Sequence, residues 1–292
     1  MSTRNLTRSI NGLQAALRVL HGAATRLPLQ VLEYDSTGLA QHGPDLLLSY
    51  ASRTPTVALV RPAATPAGLP AGLDIQQIRW VVAGGYPPIL LVPATLQQCA
   101  EFAARAVNLA CRHGAPVVLL IEAELLAEEV EDMALPAAEA AAPVVQSIPA
   151  LDQLSPAENT ALNLQARLAG LSPEDTLFLL DEWAGPGRAE WLVVSYGLAN
   201  RAAASAVTAA RGAGQRVTHL ALGSIWPLPE SLLLRVAAGA RHVVTAERNL
   251  GQLALELRRL LPDRTISPVG RVTEPPPAAA ILEALQRTPR CC

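Results

Sequence analysis

Three runs in the second half of the chain, WLVVSYG (191–197), VTHLALGSI (217–225) and RHVVTAE (241–247), are apolar through most of their length rather than at alternate positions. A strand with one wet face alternates polar and apolar residues. One that does not alternate is covered on both faces, as in a parallel sheet flanked by helices. Each run is followed by a stretch of helical period: LANRAAASAVTAARGAG, closed by Gly212 or Gly214, then PLPESLLLRVAAGA, then LGQLALELRRLL. The first half repeats the texture. TPTVALVRP (54–62), PPILLVPAT and APVVLLIEAEL read as buried strands, and LQQCAEFAARAVNLACRHG as a helix stopped by Gly114. NGLQAALRVLHGA and GPDLLLSYAS, the latter opened by Pro44, read as helices flanking a short strand, LPLQVLEY. The pattern predicts an α/β fold.

The 292 residues leave room for one large or two ordinary domains. The texture divides them into an α/β unit over 1–135, a proline-punctuated linker with one short helix over 136–187, and a second αβ unit over 188–288. In the linker, Ser155, Pro156 and Glu158 have the spacing of a helix cap. Half the residues are hydrophobic and only 16% are charged, so the chain buries a substantial core. A net charge of −2, with no basic stripe, speaks against a nucleic-acid partner. The apolar runs are too short to span a membrane, and the N-terminus has no leader pattern, so the expected location is cytoplasmic. Cys99, Cys111, Cys291 and Cys292 have neither metal-ligand spacing nor a disulfide framework. The five histidines are scattered, and Ser195 lacks a nucleophile-elbow pattern. Gly212-Ala213-Gly214 ends a helix instead of opening a phosphate loop.

The junction AERNLGQLALELRRLL (246–261) concentrates polar groups where a buried strand turns into a helix. Asn249 can accept from first-turn amides, Gly251 permits close backbone approach, and Gln252 offers donor and acceptor. These residues fit a cap at a domain or subunit contact. The alternative is a direct role in catalysis.

The second half, from WLVVSYG through Pro227-Leu228-Pro229 to Glu247, Asn249, Gly251, Gln252 and Leu253, resembles the C-terminal part of the α subunit of 2-oxoacid:ferredoxin oxidoreductases. Its tail, GRVTEPPPAAAILEAL, resembles that family's closing segment. PPILLVPATLQQCAEFAARAVNLACRHGAPVVLLIEAELL, Asn11 to Ala15, HGPDLLLSYAS and TPTVALVRPAATPAGLP are similar to islands of the family's pyrimidine-binding domain. The family's YPITPSS loop is absent, and its glutamate-rich segment is reduced to VLEYD. The resemblance implies a shortened thiamine-diphosphate-binding domain followed by a transketolase C-terminal-like domain.

It also implies a function: with a separate β subunit, oxidative decarboxylation of a 2-oxoacid such as pyruvate or 2-oxoglutarate to acyl-CoA, with electrons passed to ferredoxin. Thiamine diphosphate would be shared with the β subunit. Magnesium and iron–sulfur clusters would sit on partner subunits only, and the assembly would be a hetero-oligomer, inactive as the single chain. A carboxylate near N1′ of the aminopyrimidine favours the reactive tautomer, and Glu33, at a strand end, is the residue in a suitable place. The resemblance places Gly43, in the HGP segment, on the cofactor side. Arg61 matches the family's substrate-anchoring arginine, and a guanidinium suits a planar carboxylate. Thr65, Gly68 and Pro70 would shape the loop after it. The alternatives are a rim glutamate, a solvent-facing arginine, and a catalytically reduced scaffold or regulatory subunit.

Overall fold

The structure is a computed structural model that describes residues 9–62, 74–82, 86–142, 152–156, 158, 159, 162, 163, 171 and 173–287. Its strands are β1 (Ile10–Asn11), β2 (Gln30–Asp35), β3 (Thr56–Arg61), β4 (Ile89–Leu91), β5 (Val117–Leu120), β6 (Glu129–Val130), β7 (Phe178–Asp181), β8 (Trp191–Tyr196), β9 (Val217–Leu222), β10 (Ser224–Trp226), β11 (His242–Glu247) and β12 (Thr265–Gly270). The helices are α1 (Gly12–Ala24), α2 (Ser36–Gln41), α3 (Gly43–Ser52), α4 (Ile75–Arg79), α5 (Leu96–His113), α6 (Ala123–Ala127), α7 (Ala199–Gly212), α8 (Glu230–Ala237), α9 (Gln252–Leu260) and α10 (Ala278–Gln286).

The unbroken apolar strands become the centres of two sheets. The first has the order β10-β4-β5-β3-β2, and its four strands from the N-terminal half run parallel. The second has the order β12-β11-β8-β9-β7, parallel except for β7. Local signals set the helix ends. Asn11 and Gln14 form a reciprocal capping box on α1. Thr95 caps α5, and Gly114 ends it in the left-handed conformation. Ser155 and Glu158 make the reciprocal bonds expected of their spacing.

The two sheets are not separate cores. Trp191 and Val193 face α7 and α10 across one apolar layer. Leu192, Val194 and Tyr196, on the opposite face of the same strand, belong to a core that runs without a break into β3, β4 and β5. The chain also crosses physically. After β9, Gly223 leads into β10, which pairs antiparallel with β4 at the edge of the first sheet. The Trp226 indole N–H donates to the Ile75 carbonyl at 2.7 Å.

Three features depart from the sequence reading. β7 lies in the stretch read as linker, yet it is an edge strand of the second sheet. β12 went unread because Pro268 interrupts its pattern; as the other edge strand it has one side without a ladder partner, which is where a strand proline is tolerated. The VTHLALGSI run is two strands in two different sheets.

Candidate functional site

The sequence-derived residues cluster at the open edge of the first sheet. Glu33 is exposed on β2, the edge strand, in register with Leu59 of β3. Arg61, the exposed last residue of β3, stands level with Asp35. Side chains alternate along a strand, so Glu33, Asp35 and Arg61 share one face. Asp35 caps α2 through the Gly38 amide at 2.7 Å. On the other face, the Tyr34 ring stacks on His42, and both Tyr34 and His42 bond to the Asp45 carboxylate. Burial first, and then Asp45, push the Tyr34 phenol up to about 12. Gly43 is buried at the start of α3, and a Cβ there would overlap the Val81 carbonyl oxygen. That close approach accounts for the glycine on packing grounds alone. Thr65, Gly68 and Pro70 lie outside the described residues, as do Cys291 and Cys292.

Buried and organised polar groups lie elsewhere: His113 and Asp175 pair beneath Arg105 and Arg112, and a larger set occupies the seam between the sheets. Glu122 lies between β5 and α6, separated from the strand end by Ile121 alone, and is wholly buried. Its Oε1 accepts the Leu198 amide at 2.6 Å, and its Oε2 accepts from Arg248 at 3.1 Å. Arg248, also buried, bonds Glu124 at 2.5 Å and the Thr273 carbonyl at 2.8 Å. Gly197 has φ +57, and a Cβ there would overlap Glu122 Oε1, so only glycine admits the carboxylate. Desolvation raises the Glu122 carboxyl to about 7, against the lowering effect of the Leu198 amide and Arg248. Sequence reasoning passed over this pair. The available signal was an acidic residue set directly against an apolar strand in LLIEAEL.

The junction at 246–261 joins this seam as a cap and an interface. The Glu247 carboxylate accepts the Leu253 and Ala254 amides at 2.7 and 3.1 Å, and Asn249 Oδ1 accepts those of Gly251 and Gln252 at 3.0 and 2.9 Å. Asn249 also donates to the buried Tyr196 hydroxyl at 2.6 Å. Gln252 reaches Asp74 and the Gln76 amide, and Glu256 pairs with Arg79, so α9 is clamped onto α4. Below it, Ser195 Oγ lies 2.8 Å from His219 Nε2 and donates to Asn200 at 2.6 Å. Burial pushes His219 down to about 4. Ser195 is fully buried, and with its one proton on Asn200 it is a packed polar network rather than a nucleophile.

A cleft of about 730 Å³ opens beside the seam, lined by Trp226, Pro227, Ile89, Arg79, Arg235 and Arg259 among others. It contains neither Glu33 nor Arg61. Among the described residues, no group of three or more His, Cys, Asp or Glu side chains is arranged to hold a metal ion. No described helix is long and apolar enough to cross a membrane.

Residues 14–168 match the family model described as pyruvate flavodoxin/ferredoxin oxidoreductase, thiamine diphosphate-binding, over more than half the chain. The chain belongs to this family. Residues 189–276 match a second model, pyruvate:ferredoxin oxidoreductase core domain II. The KorA subunit of 2-oxoglutarate synthase from Methanothermobacter marburgensis is 26% identical over 224 residues, 64% of this chain and 60% of that protein. The VorB subunit of ketoisovalerate oxidoreductase from Methanothermobacter thermautotrophicus is 24% identical over 283 residues, 89% of this chain and 78% of that one. The chain thus spans about 60% of the length of the KorA relatives it matches.

Two solved structures share the fold. One is the 2-oxoglutarate:ferredoxin oxidoreductase of Magnetococcus marinus with 2-oxoglutarate, coenzyme A and succinyl-CoA bound, with a TM-score of 0.70 at 18% identity, covering 94% of this chain and 56% of that one. The other is a split-gene transketolase in an inactive β4 tetramer, with a TM-score of 0.59 at 14% identity, covering 96% and 98%. The chain therefore has an α/β fold with an N-terminal thiamine-diphosphate-binding-type domain and a transketolase-like C-terminal part, as the sequence resemblance implied.

The described residues do not by themselves fit the cofactor that the family description names. An aminopyrimidine needs a carboxylate presented in a dry cleft. Glu33 is exposed on an edge strand, and the buried carboxyls of Glu122, Asp175, Glu247 and Glu256 are committed to donors of this chain.

Proposed function

We propose that this chain is the α-type subunit of a 2-oxoacid:ferredoxin oxidoreductase, working with a β subunit that carries the diphosphate, magnesium and iron–sulfur sites. The pair would convert a 2-oxoacid and coenzyme A to acyl-CoA and carbon dioxide, with the electrons going to ferredoxin. The observation that carries this reading is the succession of two models from one enzyme family, in order, along 14–168 and 189–276. The exposed edge carrying Glu33 and Arg61 supports it, because a surface of this kind becomes a dry site only when a partner covers it. In this reading Arg61 holds the substrate carboxylate, Glu33 faces the cofactor, and Gly43 keeps the backbone of α3 close to Val81.

A second reading, a catalytically reduced scaffold or regulatory subunit, draws on the same exposure of Glu33 and on the prior commitment of the buried carboxyls of Glu122, Asp175, Glu247 and Glu256. Steady-state kinetics of the αβ pair separate the two. The first reading expects turnover of a 2-oxoacid. It also expects Arg61→Ala to lower kcat/KM by about 2–4 kcal/mol in transition-state free energy, with only partial rescue by Arg61→Lys. A pair that assembles but neither binds thiamine diphosphate nor turns over leaves the scaffold reading standing and refutes the first.

A further inference from the structure

The seam holds more acid than base. Glu122 and Glu247 are wholly buried, and Arg248 is the guanidinium that reaches in between them and the first unit. That guanidinium is shared: Glu124, which is partly exposed, takes it at 2.5 Å and Glu122 at 3.1 Å. Glu247 is satisfied within its own unit by two amides and the Thr245 hydroxyl. Several carboxylates cross between the units, among them Glu124, Glu128 and Glu256, and Glu122 is the wholly buried one, its two oxygens binding donors from β8–α7 and β11–α9.

The second cation facing Glu122, Arg201, acts on it only at a distance, because its hydrogen bonds go to Glu128 and the Ala94 carbonyl. From its own segment comes Glu124. From the β8–α7 junction come the Tyr196 phenol, pushed well up by burial and then by Glu247 and Glu122, and Arg201, which is held bidentate by Glu128 and by the Ala94 carbonyl. From β11–α9 come Arg248 and Glu247. A buried carboxylate with half a guanidinium is costly, and a proton removes the cost.

We propose that the Glu122 carboxyl is a proton-linked lock between the two units, one that takes up a proton as the chain folds them together and holds them more firmly as the pH falls. The direction follows from linkage. The carboxyl sits at about 7 in the closed chain and near its ordinary 4.5 when exposed. The closed state therefore binds the extra proton between those values. The stabilisation is complete at the acidic end and is lost as pH rises through about 7.

The test is thermal unfolding of the full chain from pH 6 to 8.5, for the native protein and for the isosteric Glu122→Gln. The native Tm should drop relative to the variant by roughly 2–4 °C across that range, because only the native seam has a proton to lose. Parallel curves for the two proteins would overturn the proposal. If Glu122→Gln does not fold, exchange of the Leu198 amide in the native chain decides. Its protection, corrected for intrinsic chemistry, should fall about tenfold from pH 6 to 8.5. Protection that stays flat overturns the lock.

Discussion

Asn249 illustrates how much one side chain of the seam does. It caps α9 with Oδ1 and gives its amide to the buried Tyr196 hydroxyl, and a Cβ on Gly270 would overlap its carbonyl. Asn249→Ala removes the cap and leaves a buried hydroxyl without that donor. Chemical denaturation should show a loss of about 2–4 kcal/mol, whereas Asn249→Asp, which keeps the cap acceptor, should recover part of it. This residue was legible in the sequence as a cap, because Asn-x-Gly-Gln after a strand has a local meaning. Glu122 and Arg248 were not legible as a pair. They are 126 positions apart, and only the packing of two sheets brings them together. Leu250 shows the reverse: it is 84% exposed between buried neighbours, so apolar character alone would have misplaced it.

At the scale of elements, local pattern found every long buried strand and failed where tertiary context overrode it. β8, β9 and β11 announced themselves by unbroken apolar runs. β12 was hidden by a proline that an edge strand tolerates, and β10 by its brevity and its change of sheet. The crossing has a consequence for stability. Because β10 pairs with β4 and one core spans both sheets, the two units should unfold together. Trp226→Ala, which empties a buried site and cuts the bond to Ile75, should cost about 3–5 kcal/mol. Near-ultraviolet and far-ultraviolet circular dichroism should still report one coincident transition. Two separated transitions in the native chain would show that the shared core does not couple the units.

For the whole molecule, the fold and the family follow from pattern that runs nearly the length of the chain, whereas the proposed site needs a partner laid against the edge formed by β2. Glu33, Asp35 and Arg61 share a face of that edge, and Tyr34, His42 and Asp45 are tied together on the other. The polar network around Glu122, Arg248, Gln252 and Glu256 holds the two units together. Sedimentation velocity of the purified chain, with and without a β subunit of the same family, decides whether the chain is one half of an αβ enzyme. The chain alone should self-associate or be poorly soluble, and adding the β subunit should give a single faster-sedimenting heteromeric species of fixed stoichiometry. A well-behaved monomer whose sedimentation is unchanged by the β subunit would contradict the αβ reading.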